Sequence, residues 1–241
     1  MTEFLAEREV RARASDVSLE QASYCLGPQV EGTVLFVVDN ENVAAWLAGT
    51  ARCFLPKFLT TVAEEIMQVL ELAVTAGWRP WPWTSSAVSW RPRARNTAAD
   101  RLANWGIEHL RALGIETTSW SWIERDVNVR TLAAQGGCWR AWSDVALKKS
   151  GEAGMGWILL WKEARSLKPI VMACGWEALR EPADTEGGIS RWELLAAQRA
   201  VGLWSTFLTG AADARRWDIL PNDEDKDNKK DIVLREAARL W

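Results

Sequence analysis

An apolar run at residues 33–38, Thr-Val-Leu-Phe-Val-Val, ends at Asp39 and is the feature that most limits what this chain can fold into. Its β-branched and aromatic residues follow one another without polar alternation, which predicts a strand buried on both faces. The run therefore predicts a central strand with Asp39 at its tip, where the side chain points into the cleft above the sheet edge and can reach a metal.

The residues that follow this strand complete a first block, residues 33–113. Apolar residues at helical spacing predict helices over 40–49, 56–76 and 97–113, and a strand is predicted over 86–90. Asp100 falls in the first turn of the last helix. A carboxylate at that position is stabilised by the helix dipole even when it has no other role.

A second block, residues 138–208, has a different order of elements. Strands are predicted over 139–146, 155–161 and 169–176, with a glycine-containing turn at 150–154, and a helix is predicted over 190–208. Asp144 lies in the first of these strands. Glu193 lies near the start of the helix, where it forms a capping-box pair with Ser190. Glu193 is therefore either a helix cap or, as we prefer, a metal ligand.

Composition limits the class of protein. The 241 residues carry a formal net charge of −3, with a pI near 5.5, which argues against tight, nonspecific binding of nucleic acid through overall charge. Any contact with nucleic acid must therefore come from a local patch. Four scattered cysteines and a single histidine argue against structural zinc and predict free thiols. The N-terminus is charged and no apolar run is long enough to span a membrane. We expect an intracellular protein of the cytoplasm or nucleus without membrane contact.

Tryptophan is abundant, with 17 residues against one tyrosine. The preferred interpretation is that most of them fill the core, because the indole ring buries a large area with few rotatable bonds. The alternative is that exposed tryptophans stack on bases or sugars.

Asp39, Asp100, Asp144 and Glu193, in these settings, resemble the four metal-binding carboxylates of the ribonuclease H domain of retroelement reverse transcriptases. The most specific stretch is Arg-Ala-Arg-Asn-Thr-Ala-Ala-Asp-Arg-Leu-Ala-Asn at residues 93–104. The first block resembles the second half of that domain, and the second block resembles its first half. The resemblance implies an α/β fold with a ribonuclease H-like mixed five-stranded sheet flanked by helices and circularly permuted.

Two organisations account for the swapped order. In the preferred one, residues 31–208 form a permuted domain in which 114–137 bridge the two blocks, with an N-terminal extension at 1–30 and a charged linker with a terminal helix at 209–241. In the other, the chain is a fragment of tandem domains and Glu20 marks a remnant helix of the first copy. We prefer the permutant, because each essential piece occurs once and neither block could bury both faces of its sheet alone.

The resemblance also implies the chemistry of the site. Asp144 would bridge two Mg²⁺ or Mn²⁺ ions, Glu193 and Asp39 would hold the first ion and Asp100 the second. The expected reaction is cleavage of the RNA strand of an RNA/DNA hybrid, which is recognised by groove width and 2′-hydroxyl contacts. A reverse transcriptase polymerase domain would be a further partner.

Phosphate contacts are expected from polar residues around the site, namely Arg91, Arg93, Arg95, Asn96 and Asn40. An ordinary solvated loop is the alternative interpretation of the arginines.

Two departures from the family pattern affect the expected activity. The loop before the last helix has no histidine, since His109 falls within the helix, and Val145-Ala146 replaces the Gly-Ser that commonly follows the hairpin aspartate. The alternative functions are an inactive ribonuclease H-like remnant that acts as a binding or structural module and, less favoured, a DNA nuclease or integrase-like relative.

Overall fold

The computed structural model describes residues 32–52, 57–75, 79–80, 87–114, 117–123, 137–163, 168–180, 188–209 and 235. The strands are β1 Gly32–Val38, β2 Arg79–Pro80, β3 Val88–Trp90, β4 Thr117–Ile123, β5 Gly137–Leu147, β6 Glu152–Glu163 and β7 Ile170–Arg180. The helices are α1 Glu41–Leu47, α2 Lys57–Thr75, α3 Thr97–Leu113 and α4 Gly188–Thr209, with a 3₁₀ turn at Arg93–Arg95. The predicted extension at 1–30 and nearly all of 209–241 lie outside the described residues.

All the strands belong to one mixed sheet with the order β2-β1-β5-β6-β7-β4, and β3 also pairs with β1. Strand β1 is parallel to β2, β3 and β5, whereas β5, β6, β7 and β4 are successively antiparallel. The predicted mixed five-stranded sheet flanked by helices is present as β1, β3, β5, β6 and β7, which confirms the α/β class. Strands β2 and β4 extend it.

The predicted bridge at 114–137 contains a strand that the sequence analysis did not anticipate. Strand β4 pairs antiparallel with β7 over its whole length, from Thr117 opposite Leu179 to Ile123 opposite Ala173. Its sequence, Thr-Thr-Ser-Trp-Ser-Trp-Ile, includes the alternation of polar and aromatic residues that is typical of a strand with one covered face. That signal was available in the sequence.

The turn between β5 and β6 lies earlier than predicted. Gly151 adopts a left-handed φ of 84° and donates its N–H to the carbonyl of Lys148 at 3.0 Å. Because the chain reverses at Gly151, Gly154 lies within the next strand and pairs with Ala146 and Ala178. Strand β6 therefore begins at Glu152, and the predicted turn at 150–154 is wrong in position.

The two blocks are joined through the parallel pair β1 and β5, in register from Gly32 opposite Gly137 to Val37 opposite Trp142. One hydrophobic cluster contains buried residues from both blocks, among them Phe36, Trp139 and Trp204. The rings of Phe36 and Trp204 meet edge to face, with centroids 5.4 Å apart. Each block thus buries apolar surface of the other.

Helix α3 packs directly on the face of the sheet opposite to the cluster that contains Phe36, Trp139 and Trp204. A Cβ atom added at Gly154 would overlap the carbonyl oxygen of Ala103, and one at Gly156 would overlap that of Ala99. The absence of side chains at these two positions lets the helix backbone approach β6 closely. This contact sets the position of the first turn of α3, which carries Asp100.

Most tryptophans whose side chains are described lie in the core, which confirms the preferred interpretation for them. The buried ones are Trp139, Trp142, Trp157, Trp161, Trp176, Trp192 and Trp204. Trp46 and Trp105 are partly buried, and Trp90 is exposed. The side chains of the clusters at 78–83 and 120–122 lie outside the described residues. Cys174 is buried and Cys138 is half-buried, and neither of these two cysteines is in a disulfide.

Within the described part of the chain, no helix is both long and apolar enough to cross a membrane.

Candidate metal centre

Asp39 follows β1 directly and is half-buried. The next residue, Asn40, caps helix α1: its Oδ1 accepts hydrogen bonds from the N–H groups of Asn42 and Val43 at 3.1 and 3.2 Å. The Nδ2 group of Asn40 donates to Ser190 Oγ at 3.3 Å. Because Ser190 lies in the first turn of α4, this side chain ties the end of β1 to the start of that helix.

Asp144 lies in β5, and extending the β1–β5 register by two residues brings it level with Asp39. Its side chain is fully buried. Oδ1 accepts the N–H of Val145 at 2.7 Å, while Oδ2 has no hydrogen-bond partner among the described residues. A buried carboxylate oxygen without a partner is costly unless a cation or a proton compensates it.

Glu193 is held by α4 and is only 3% exposed. Its Oε2 is likewise without a hydrogen-bond partner in the described part of the structure. The capping-box alternative is wrong, because α4 already begins at Gly188 and the hydroxyl oxygen of Ser190 accepts a hydrogen bond from the Asn40 amide. The helix therefore carries Glu193 as a buried acid and not as a cap.

These three acids form one group. One carboxylate oxygen from each of Asp39, Asp144 and Glu193 lies within 4.8 Å of the others. Burial, followed by repulsion from Asp39, raises the pKa of Asp144 to about 8. Burial, followed by repulsion from Asp39 and Asp144, raises the pKa of Glu193 to about 10. Close, desolvated oxygen donors with unsatisfied atoms are a donor set that fits a hard divalent cation such as Mg²⁺ or Mn²⁺.

Asp100, the fourth predicted ligand, stands beside this group but not in it. Its Oδ1 accepts two hydrogen bonds from Arg93, from Nη2 at 2.6 Å and from Nε at 3.2 Å. Nη2 of Arg93 also donates to the carbonyl of Val145 at 3.3 Å. The hydrogen bond to Asp100 raises the pKa of Arg93, and attraction by Asp144 and Asp39 adds to this against the effect of burial.

The predicted nucleic-acid contacts differ in their placement. Asn96 is fully buried and donates Nδ2 to the carbonyl of Ser143 at 2.7 Å, so it joins α3 to β5 and does not present its amide at the surface. Asn40 is committed to its cap and to Ser190. Arg95 is exposed, and Arg91 is half-buried with Nη1 donating to the carbonyl of Trp90 at 3.2 Å. Both asparagines therefore hold the frame of the site.

Trp90 is a candidate that the sequence analysis did not single out. It ends β3, is 41% exposed, and donates its indole N–H to the carbonyl of Asp39 at 2.9 Å. The hydrogen bond fixes an aromatic ring next to the acid group. Its position at the end of a strand, directly before the arginine run, was the available signal.

No protein-family model and no curated protein matches this chain. Among solved structures, a PelC dodecamer from Paraburkholderia phytofirmans is similar with a TM-score of 0.25 and 11% identity, over 76% of this chain and 93% of that chain. At this TM-score the similarity bears neither on the fold nor on the function of the chain.

Proposed function

We propose that the chain is a ribonuclease H-like endonuclease that cleaves the RNA strand of RNA/DNA hybrids with the help of Mg²⁺ or Mn²⁺. The observation that carries the proposal is the convergence of Asp39, Asp144 and Glu193, which come from separate blocks, within 4.8 Å. Asp39 and Asp144 are 105 residues apart in the sequence, and Asp144 and Glu193 are 49 apart, so this convergence is a property of the fold and not of a local motif.

The topology supports the permuted arrangement. The second block supplies three antiparallel strands, β5 to β7, and helix α4, as the first half of a ribonuclease H domain does. The first block adds β1 and β3, parallel to β5 and to one another, and ends in α3. The order β7-β6-β5-β1-β3 thus joins the two halves of the family pattern at the β1–β5 pair.

The residues of the site have distinct roles in this proposal. Asp39, Asp144 and Glu193 would hold a divalent cation, which supplies activation of the attacking water and stabilisation of the leaving oxygen. Burial of Asp144 and Glu193 excludes bulk water from the inner side of the group and strengthens the interactions made there. The contacts of Asn40 and Asn96 keep the supporting elements in place.

Residues 90–95 form the rim of the site and would contact the substrate. Arg91, Arg93 and Arg95 place cationic groups there on a chain whose net charge is −3, which meets the need for a local basic patch. The anchored ring of Trp90 offers a flat exposed surface on which a base or sugar can stack. A hybrid duplex would be selected by its shape and its 2′-hydroxyl groups.

The test is to incubate the purified full chain with an RNA/DNA hybrid that is labelled on each strand and to measure cleavage. We expect Mg²⁺- or Mn²⁺-dependent cuts in the RNA strand, no cuts in the presence of EDTA, and no cuts with Asp39→Asn. Glu177→Gln is the matched control, because Glu177 lies on β7 and pairs with Arg199. An intact hybrid at high protein concentration, or cleavage that Asp39→Asn leaves unchanged, would refute the proposal. Cleavage of duplex DNA alone would move the substrate to DNA.

An inactive ribonuclease H-like binding module is the second candidate, and one observation favours it. Asp100 is ion-paired with Arg93 and does not join the other carboxylates. Hybrid binding in a mobility-shift assay without any cleavage under the same conditions would identify this function.

A further inference from the structure

The ion pair between Arg93 and Asp100 lies beside the group formed by Asp39, Asp144 and Glu193, which contacts no cationic side chain in the described part of the chain. The guanidinium is 2.6 Å from the Asp100 carboxylate and 3.3 Å from the carbonyl of Val145, the residue after Asp144. Beside this pair, Oδ2 of Asp144 and Oε2 of Glu193 are buried without hydrogen-bond partners among the described residues. Four carboxylates and one guanidinium thus share a single region.

The pair is held firmly at both ends. Arg93 makes two hydrogen bonds to one oxygen of Asp100 and a third to the β5 backbone. Asp100 lies in the first turn of α3, and the buried amide of Asn96 fixes the start of that helix to β5. The arginine side chain is still 55% exposed, so part of its guanidinium faces the solvent and any bound substrate.

The charges divide the region into two positions. Asp39, Asp144 and Glu193 form an inner position with no described cationic side chain in direct contact, which a divalent cation suits. Asp100 forms an outer position whose charge Arg93 already balances. A second cation at Asp100 would have to displace a short, charge-assisted ion pair and leave Arg93 without its partner.

We propose that this centre binds a single divalent cation, at Asp39, Asp144 and Glu193, and that the guanidinium of Arg93 takes the place of a second cation at Asp100. The inference rests on the proposed function and replaces the two ions that the sequence resemblance implies. The open side of Arg93 then supplies planar N–H donors for a phosphate oxygen of the nucleic-acid strand, a contact for which guanidinium geometry is well suited.

Mn²⁺ titration of the full chain tests this, with free Mn²⁺ measured by electron paramagnetic resonance. We expect one bound Mn²⁺ per chain in the wild type and two in Arg93→Gln, because the substitution releases the Asp100 carboxylate. The double variant Arg93→Gln with Asp100→Asn should return to one. Arg93→Lys, which keeps the charge, should also bind one, and Arg95→Gln is the control for loss of a neighbouring exposed arginine.

Asp100→Asn alone gives a second measurement that does not depend on folding of the arginine variants. It should leave one bound Mn²⁺ with an affinity close to that of the wild type. Two ions in the wild type, one ion in a folded Arg93→Gln variant, or loss of the single ion in Asp100→Asn would overturn the inference and leave the proposed nuclease intact. Binding of no Mn²⁺ by the wild type would overturn both.

Discussion

At the scale of single residues, the buried acids of the site work against folding unless a proton or a cation compensates their charge. Burial and mutual repulsion raise the pKa values of Asp144 and Glu193 to about 8 and about 10. In the unfolded chain both groups ionise near pH 4. Between about pH 4 and pH 8, Asp144 and Glu193 therefore stay protonated in the folded, metal-free protein, whereas the unfolded chain has released both protons.

The sign of the pH dependence follows from this difference. The stabilisation by the two protons is complete below about pH 4 and is lost as pH rises through about 8 and then about 10. We expect the melting temperature in EDTA to fall between pH 6 and 9, and Glu193→Gln to flatten that fall. Added Mg²⁺ should restore stability most at high pH, because the cation competes with protons. A melting temperature that rises over this range in EDTA would contradict the assignment.

Trp90 supports a second prediction at this scale. Trp90→Ala should weaken binding of a labelled hybrid by about tenfold, the loss expected for one stacked base. Trp90→Phe removes the indole donor to Asp39 but keeps an aromatic ring that can stack. It should therefore retain most of the binding. Fluorescence anisotropy with Asp39→Asn as the parent measures binding without cleavage. Equal affinities of the alanine variant and the parent would remove Trp90 from the interface.

At the scale of elements, the contact of α3 with β6 determines where the rim of the site lies. The glycines at 154 and 156 admit the helix backbone, and the far end of α3 is held by Arg111, which donates to both oxygens of Glu152 at 3.0 and 2.6 Å. Any increase in the separation of the helix from the sheet would also move Asp100 and its arginine partner away from β5.

Gly156→Ala should therefore lower the free energy of unfolding by about 2–3 kcal/mol, as expected for overpacking against a backbone that cannot yield easily. Gly202→Ala is the matched control, because a Cβ there meets no atom within 4 Å and the residue is exposed in α4. That variant should gain about 0.5–1 kcal/mol. Urea unfolding measures both, and equal effects would show that the glycine contact does not constrain the helix.

At the scale of the whole molecule, the two blocks share one sheet and one core. The β1–β5 pair and the cluster around Phe36, Trp139 and Trp204 cannot form within either block alone. Apolar surface on both sides of β1 would be left open to water if the blocks separated. Their association is therefore part of folding.

Cleavage of the chain between residues 124 and 136 tests this dependence and the tandem alternative together. Each purified fragment should be largely unfolded alone, and mixing them should restore a folded complex with dispersed amide signals in ¹⁵N–¹H NMR spectra. A first fragment that folds by itself would favour a tandem copy over a permuted domain.

Local signals made part of this structure predictable. Helix α3 has its predicted bounds, Thr97–Leu113, because its periodicity and the left-handed Gly114 that follows are properties of neighbouring residues. The burial of Asn96 and the pairing of Arg93 with Asp100 were not predicted, since each depends on β5 or on a side-chain geometry that spacing does not specify. Strand β4 carried a local signal, the alternation of polar and aromatic residues, and only its pairing with the distant strand β7 depended on the tertiary structure.

The sequence by itself determined the elements and the acids that they carry, because hydrophobic period, turn residues and helix caps act over a few residues. Only the tertiary structure decided that Asp39, Asp144 and Glu193 meet while Asp100 is paired with an arginine. The physical reason is that burial and Coulomb interactions depend on distances in space, and those distances are set when β1 pairs with β5 and α3 packs on β6.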